Sequence, residues 1–154
     1  MSRAFVRETD GDSAALPERA PSTHPNFVTP RGLAAIQARV RELEGERQAA
    51  RDSGDASARA RVERDLRYWS ARRASARVVG PAAVANRVRF GMRVSLQIDG
   101  GATHTFRLVG EDEADAAHGL LSWVAPLAQS LLGKAVGERA PFQGVEALIV
   151  SIEP

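Results

Sequence analysis

A chain of 154 residues has room for one compact domain with an appendage or for two small domains. It holds no cysteine, which excludes a disulfide framework and any thiolate zinc site and fits a reducing compartment. No apolar run approaches the roughly 20 residues of a membrane span, and the N-terminus lacks the apolar core of a secretory signal, so a cytoplasmic protein is expected. Formal charge is only +2, yet Lys134 is the sole lysine among 21 basic residues. Eleven arginines lie from Arg39 to Arg77, against seven acids from Glu42 to Asp65, while the C-terminal half tends acidic. Such a split points to a docking partner with its own charge pattern. Arginine makes forked contacts to carboxylate and phosphate, although the bias against lysine fits a GC-rich genome equally well.

Residues 1–28 carry acids, serines and Pro17, Pro21 and Pro25 without sustained periodicity, and read as an extended or mobile tail. Phe5, Val6 and Phe27 are the residues able to pin it. Thr29 can cap a helix and Pro30 suits its first position. From there Leu33, Ile36, Val40 and Leu43 recur at steps of three and four, as do Val62, Leu66, Trp69, Arg73 and Ala76 further on. Each series makes one apolar stripe on a helix. The Asp52-Ser53-Gly54-Asp55 turn between them predicts an antiparallel coiled-coil hairpin over 29–80, closed by Gly80-Pro81. Glu63 and Arg67 stand at i,i+4 spacing for an ion pair, and Tyr68 and Trp69 are expected to seat the hairpin's base on the body.

From Val88 the period changes to two: Val88, Phe90, Met92, Val94, Leu96 and Ile98 alternate with polar residues, predicting a strand bent at Gly91. Asp99-Gly100-Gly101 signals a hairpin turn, and His104, Phe106 and Leu108 continue on the return strand. After the acidic run Glu111–Asp115, a strand is expected in Leu120–Val124, a short helix from Pro126 to Leu132, and a last strand over Val145–Ile152. The fold class is therefore α+β, with a β-sheet body over 86–154 around one short helix.

No catalytic signature is present: no phosphate-cradling glycine loop, no HExxH and no Gly-x-Ser-x-Gly. His24, His104 and His118 are scattered without metal-ligand spacing. Glu111–Asp115 offers oxygen ligands to a divalent cation, but a solvated turn, or a patch for a partner's arginines, is the simpler reading. At the hairpin tip Asp52 and Asp55 could share a Mg²⁺ and orient a water for phosphodiester hydrolysis; turn and capping roles explain them more simply.

Arg89-Phe90-Gly91, then Phe106-Arg107-Leu108-Val109-Gly110-Glu111-Asp112-Glu113-Ala114-Asp115, then the run from Leu121-Ser122-Trp123-Val124-Ala125-Pro126 to Gly133-Lys134, resemble in order and spacing the GreA/GreB transcript cleavage factors. The resemblance is strongest over 87–137. It is looser before that, where Thr29-Pro30-Arg31-Gly32-Leu33 resembles the opening of the family's coiled coil and Gly54-Asp55 its tip. It implies an FKBP-like C-terminal domain, in shape and not in isomerase activity, that holds the rim of the RNA polymerase secondary channel while the coiled coil enters. Two tip acids then help the polymerase's own site hydrolyse RNA in backtracked complexes. Asp55 matches the first acid, but Ala58 stands at the second and Arg59 replaces an asparagine. Each arm is shorter by about two turns, roughly 10 Å of reach. Val124, Ala125 and Gln129 replace residues usually polar, polar and basic, whereas Ser122 and Pro126 are kept.

The expectation is an RNA polymerase-binding elongation regulator of this type, not itself an enzyme, with weak or no stimulation of cleavage. Ser122, Trp123, Val124, Ala125 and Pro126 with Glu111, Asp112 and Glu113 are its expected polymerase contacts, and Asp55 and Asp52 its candidate catalytic acids. No metal or cofactor of its own is expected; the polymerase's Mg²⁺ would serve any cleavage. Nascent RNA or DNA is touched only indirectly, no membrane is involved, and the chain is expected to be a monomer. Two alternatives stand beside this: a working cleavage factor that uses both tip acids, and a nucleic-acid binder that uses the Arg-rich hairpin, against which the interleaved acids count.

Overall fold

The computed structural model describes residues 17–80, 83–98 and 100–154; Phe5, Val6, Pro81 and Asp99, singled out above, lie outside them. The hairpin forms as its caps dictate. Thr29 accepts the Gly32 amide at 3.0 Å on its hydroxyl, and α1 runs from Pro30 to Asp52. Ile36, Val40, Leu43 and Ala50 are buried along one stripe. Gly54 turns the chain at φ +71°, in the left-handed region that suits glycine. Asp55 then accepts the Ala58 amide at 2.8 Å and starts α2, Ala56–Ser75.

The inner face of α2 differs from the expected series at its end. Val62, Leu66 and Trp69 are half-buried, but Arg73 is exposed and Ala76 has left the helix as its C-cap. Arg72 takes the inward position instead and is the one fully buried residue of the helix. Steps of three and four from Trp69 both stay on the stripe; the step of three wins because carboxylates wait for Arg72 on the body. Arg67, expected to pair with Glu63, pairs with Glu18, and Glu63 stands 3.9 Å from Arg59.

Two short strands clamp the chain where it enters and leaves the hairpin. β1, Phe27–Val28, pairs parallel with β2, Arg77–Val78, and Val79 N donates to Val28 O at 2.9 Å. The buried Asn26 amide donates to Arg72 O at 2.8 Å and to Ser75 Oγ at 3.1 Å. Two-residue strands have no periodicity to read, so the sequence gives no sign of this clamp.

The body is a five-stranded sheet of β3 (Arg93–Gln97), β4 (Thr103–Val109), β5 (Leu120–Ser122), β6 (Arg139–Phe142) and β7 (Val145–Glu153), in the order β5-β4-β3-β7-β6. All neighbours are antiparallel except β4 and β5. The short helix α3, Pro126–Leu131, supplies Ala128 and Leu131 to a core completed by Val88, Met92, Val94, Leu96, Leu108, Ala140, Ala147, Ile149 and Ile152. The α+β class is borne out.

The first strand of the body is shorter than its alternation suggests. Val88–Met92 is a turn, with Gly91 at φ +85° and its amide on Leu108 O at 2.8 Å. Val88 exchanges backbone bonds with Gly133 and Lys134 rather than with a strand. Val88 and Met92 nevertheless drop into the core, so the period of two continues across a segment that is not extended.

Candidate functional site

The tip acids flank the turn, and both are exposed. Asp52 accepts the Gln48 side-chain amide at 2.8 Å, and Asp55 spends one carboxylate oxygen on the Ala58 amide that begins α2. Both bonds are local, and that of Asp55 caps α2. Ala58, three residues on from Asp55, brings no carboxylate, and the neighbours Arg51, Arg59 and Arg61 are exposed cations. Among the described residues, no three of His, Asp and Glu converge as a metal site.

At the other end of the hairpin the acidic run is engaged within the chain. Glu111–Glu113 forms one 3-10 turn after β4, and all three carboxylates face the hairpin's base. Glu113 accepts the Thr29 amide at 3.1 Å, the Thr29 hydroxyl, and the Gly110 amide at 3.2 Å. Gly32 is where α1 passes this carboxylate, and a Cβ there would lie 2.2 Å from Glu113 Cδ. Asp112 accepts the Tyr68 hydroxyl at 2.9 Å and Arg72 Nε at 2.5 Å. Glu111 lies 3.7 Å from Arg72 Nη2. The Arg72 side chain is 2% exposed and that of Asp112 7%, so this is a buried ion pair. Burial, and then the bond to Asp112, hold the Tyr68 phenol above its ordinary pKa. Arg19 lies over the Tyr68 ring, 3.8 Å from its centroid, and 5.6 Å from that of Trp69.

The acids read as a patch for a partner's arginines therefore meet an arginine of their own chain. Arg72 was missed by sequence reading; the only available signal was its place one step of three beyond Trp69. Asp115 stands apart from the seat. It pairs with His118 at 2.7 Å, and that bond holds its carboxyl below the ordinary range.

The segment Ser122–Pro126 follows β5 and is held by its backbone. Trp123 N donates to Val109 O at 2.9 Å, Ala125 N to Ser122 O at 2.9 Å, and the Gln129 amide to Trp123 O at 2.7 Å. The Trp123 ring meets Phe27 edge-on at 5.1 Å and His24 at 6.1 Å. Ser122, Trp123, Val124 and Ala125 are half-buried and Pro126, which opens α3, is exposed. The Ser122 hydroxyl and the Trp123 indole N–H are buried without a partner among the described residues. The structure thus brings Trp123, Phe27 and the seat acids to one end of α1. It leaves Asp52 and Asp55 at the other, 23 helical residues or roughly 35 Å away.

No helix among the described residues is long and apolar enough to cross a membrane. Residues 83–154 match the family described as transcription elongation factor, GreA/GreB, C-term. Transcription elongation factor GreA of Helicobacter pylori is 39% identical over 72 residues, which are 46% of this chain and 44% of that protein, so the chain matches less than half of that relative's length. Transcription elongation factor GreB of Xanthomonas axonopodis pv. citri is 38% identical over 132 residues, covering 73% of this chain and 79% of that one. GreA of Ruegeria pomeroyi is 32% identical over 130 residues, with 72% and 83% covered. Among solved structures, GreA factor homolog 1 (Gfh1) of Thermus thermophilus aligns at a TM-score of 0.41 and 18% identity, covering 85% of this chain and 100% of that one. The likeness to GreB, which covers nearly four-fifths of that protein and almost three-quarters of this one, shows that this chain belongs to the GreA/GreB transcription elongation factor family.

Proposed function

We propose that this protein binds RNA polymerase, places its hairpin in the secondary channel, and modulates elongation with weak or no stimulation of transcript cleavage. One observation carries the second half of the reading: Asp55 spends one carboxylate oxygen on the cap of α2, Asp52 one on the Gln48 side chain, and position 58, where the family's second acid is expected, is alanine. A single capping carboxylate among arginines is a poor clamp for Mg²⁺, which takes its oxygen ligands in near-octahedral geometry. The rigid Ser122–Pro126 turn, with Pro126 and Gln129 exposed beside it, supplies the docking contact. The seat acids Glu111, Asp112 and Glu113 serve that docking indirectly, by fixing the hairpin to the domain that docks.

The exposure of both tip acids on one turn favours a second reading, a working cleavage factor. Stalled, backtracked polymerase complexes separate the two. The proposal expects the protein to co-purify with core polymerase at low salt and the RNA to stay the same length. Prompt Mg²⁺-dependent shortening that is abolished by Asp55→Ser would establish the second reading. Serine keeps the cap and removes the carboxylate, so this variant does not confuse a lost charge with a frayed helix. Failure to recover polymerase at all would end both readings.

A further inference from the structure

The outer face of the sheet carries a feature that the docking reading does not use. Along β3 and β4 the side chains alternate: Val94, Leu96 and Leu108 enter the core, while Arg93, Thr105 and Arg107 share the opposite face. The register sets Arg93 directly opposite Arg107. Like charges opposed across an antiparallel pair are destabilising; on its other side Arg93 faces Glu153 of β7, so one acid partly offsets two cations. Arg107 donates to two backbone carbonyls, Gly91 O at 2.7 Å and Pro154 O at 3.3 Å. Arg93 has only Glu153 at 3.9 Å, between two side chains more than half exposed. Arg31, near the start of α1, joins them and has no hydrogen-bond or ionic partner among the described residues.

These three guanidiniums line one groove. Two adjoining cavities of about 630 and 460 Å³ share Arg31, Arg93, Arg107 and Leu120. Thr105 and His118 border the first, and the apolar Val79 and Val109 border the second. The acids at the edges are already satisfied within the chain, Asp115 by His118 and the Ala117 amide, Glu113 by Thr29 and Gly110. Three guanidiniums thus share a groove in which Glu153 offers the one ionic contact, long and exposed, so positive charge is left over for an outside anion.

We propose that this groove is a phosphoanion site that takes the phosphates of a nucleotide or of an RNA end. Arg107, fixed by its carbonyl bonds, is the preorganised fork, and Arg31 and Arg93 close on the anion from either side. A phosphate presents enough oxygens to engage several guanidiniums at once, whereas one carboxylate satisfies a single fork. No Phe, Tyr or Trp lines either cavity, and the His118 ring is held by Asp115, so the site reads charge and not base identity.

The test uses the full chain without polymerase, so its failure is distinct from a failure of docking. Calorimetry compares inorganic pyrophosphate, a 5′-phosphorylated RNA tetranucleotide, the same RNA unphosphorylated, and hexaglutamate. Binding of pyrophosphate or phosphorylated RNA is expected to weaken at least tenfold in Arg31→Gln/Arg93→Gln, and to be unchanged in the hairpin control Arg59→Gln/Arg61→Gln. Equal affinity for pyrophosphate and phosphorylated RNA assigns the site to small phosphorylated ligands; a strong preference for the phosphorylated RNA assigns it to RNA ends. Absence of binding by either phosphate probe, binding that survives the double substitution, or preference for hexaglutamate would each overturn the proposal.

Discussion

Replacing Arg72 with alanine tests the seat of the hairpin most directly. The guanidinium is almost wholly buried and donates to Asp112 at 2.5 Å, with Glu111 at 3.7 Å. Removing one member of a buried pair costs about 3–5 kcal/mol, because the other charge is left uncompensated. Asp112 keeps the Tyr68 hydroxyl, which argues for the lower end, about 3 kcal/mol. That is a large fraction of the roughly 5–15 kcal/mol that holds a typical domain together. In urea, with a slope of about 2 kcal/mol per M, the midpoint should fall by about 1.5 M. Asp112→Ala should cost a similar amount, and the double variant should recover about 2 kcal/mol of coupling. Arg72→Met combined with Asp112→Leu should be less destabilised than either single change, since an apolar pair leaves no orphaned charge. A loss below about 0.5 kcal/mol for Arg72→Ala, or strictly additive costs in the cycle with Asp112, would refute the assignment of the hairpin's anchorage to this pair.

Tyr68 is the only tyrosine in the chain, so its ionisation can be followed by absorbance. It should titrate above the ordinary value of about 10, and less far above it in Asp112→Asn. Because the folded value is the raised one, this stabilisation is complete below the unfolded pKa and is lost as pH climbs through the folded one. Gly32→Ala should evict the Glu113 carboxylate from Thr29 and cost about 1–2 kcal/mol, read as a lower midpoint that Glu113→Ala does not lower further. Asp115 should titrate below the ordinary aspartate value in an NMR pH series, and His118→Ala should return it toward that value. Its folded pKa is the depressed one, so any stabilisation is complete above the unfolded value of about 3.9 and is lost only as pH falls through the folded value.

What the sequence disclosed is what short-range periodicity can carry. Caps and stripes placed both helices within a few residues, since Thr29, Pro30, Gly54 and Asp55 act on amides one turn away. Alternation found β3, β4 and β7 but overran the start of β3, because a buried loop residue such as Val88 looks like a buried strand residue in the pattern. β6 escaped: Arg139-Ala140-Pro141-Phe142 includes a proline and only four residues. The seat escaped for a different reason. Arg72 meets Asp112 across 40 residues and Thr29 meets Glu113 across 84, and no local rule selects those partners from a dozen similar arginines. The acids were visible, but their recipient was not.

That missed contact bears on what the tip can do. An arm of roughly 35 Å turns a tilt of about 5° at its base into a displacement of about 3 Å at Asp55. A misplacement near 1 Å can cost two orders of magnitude in a catalysed step. Groups that hold the angle therefore govern reach as strongly as groups at the tip. Under the proposed docking, Glu111, Asp112 and Glu113 need not touch the polymerase to matter: with Arg72, Tyr68 and Thr29 they fix the hairpin to the body. Tightening or loosening this seat should change the outcome at the tip more than placing a carboxylate at position 58.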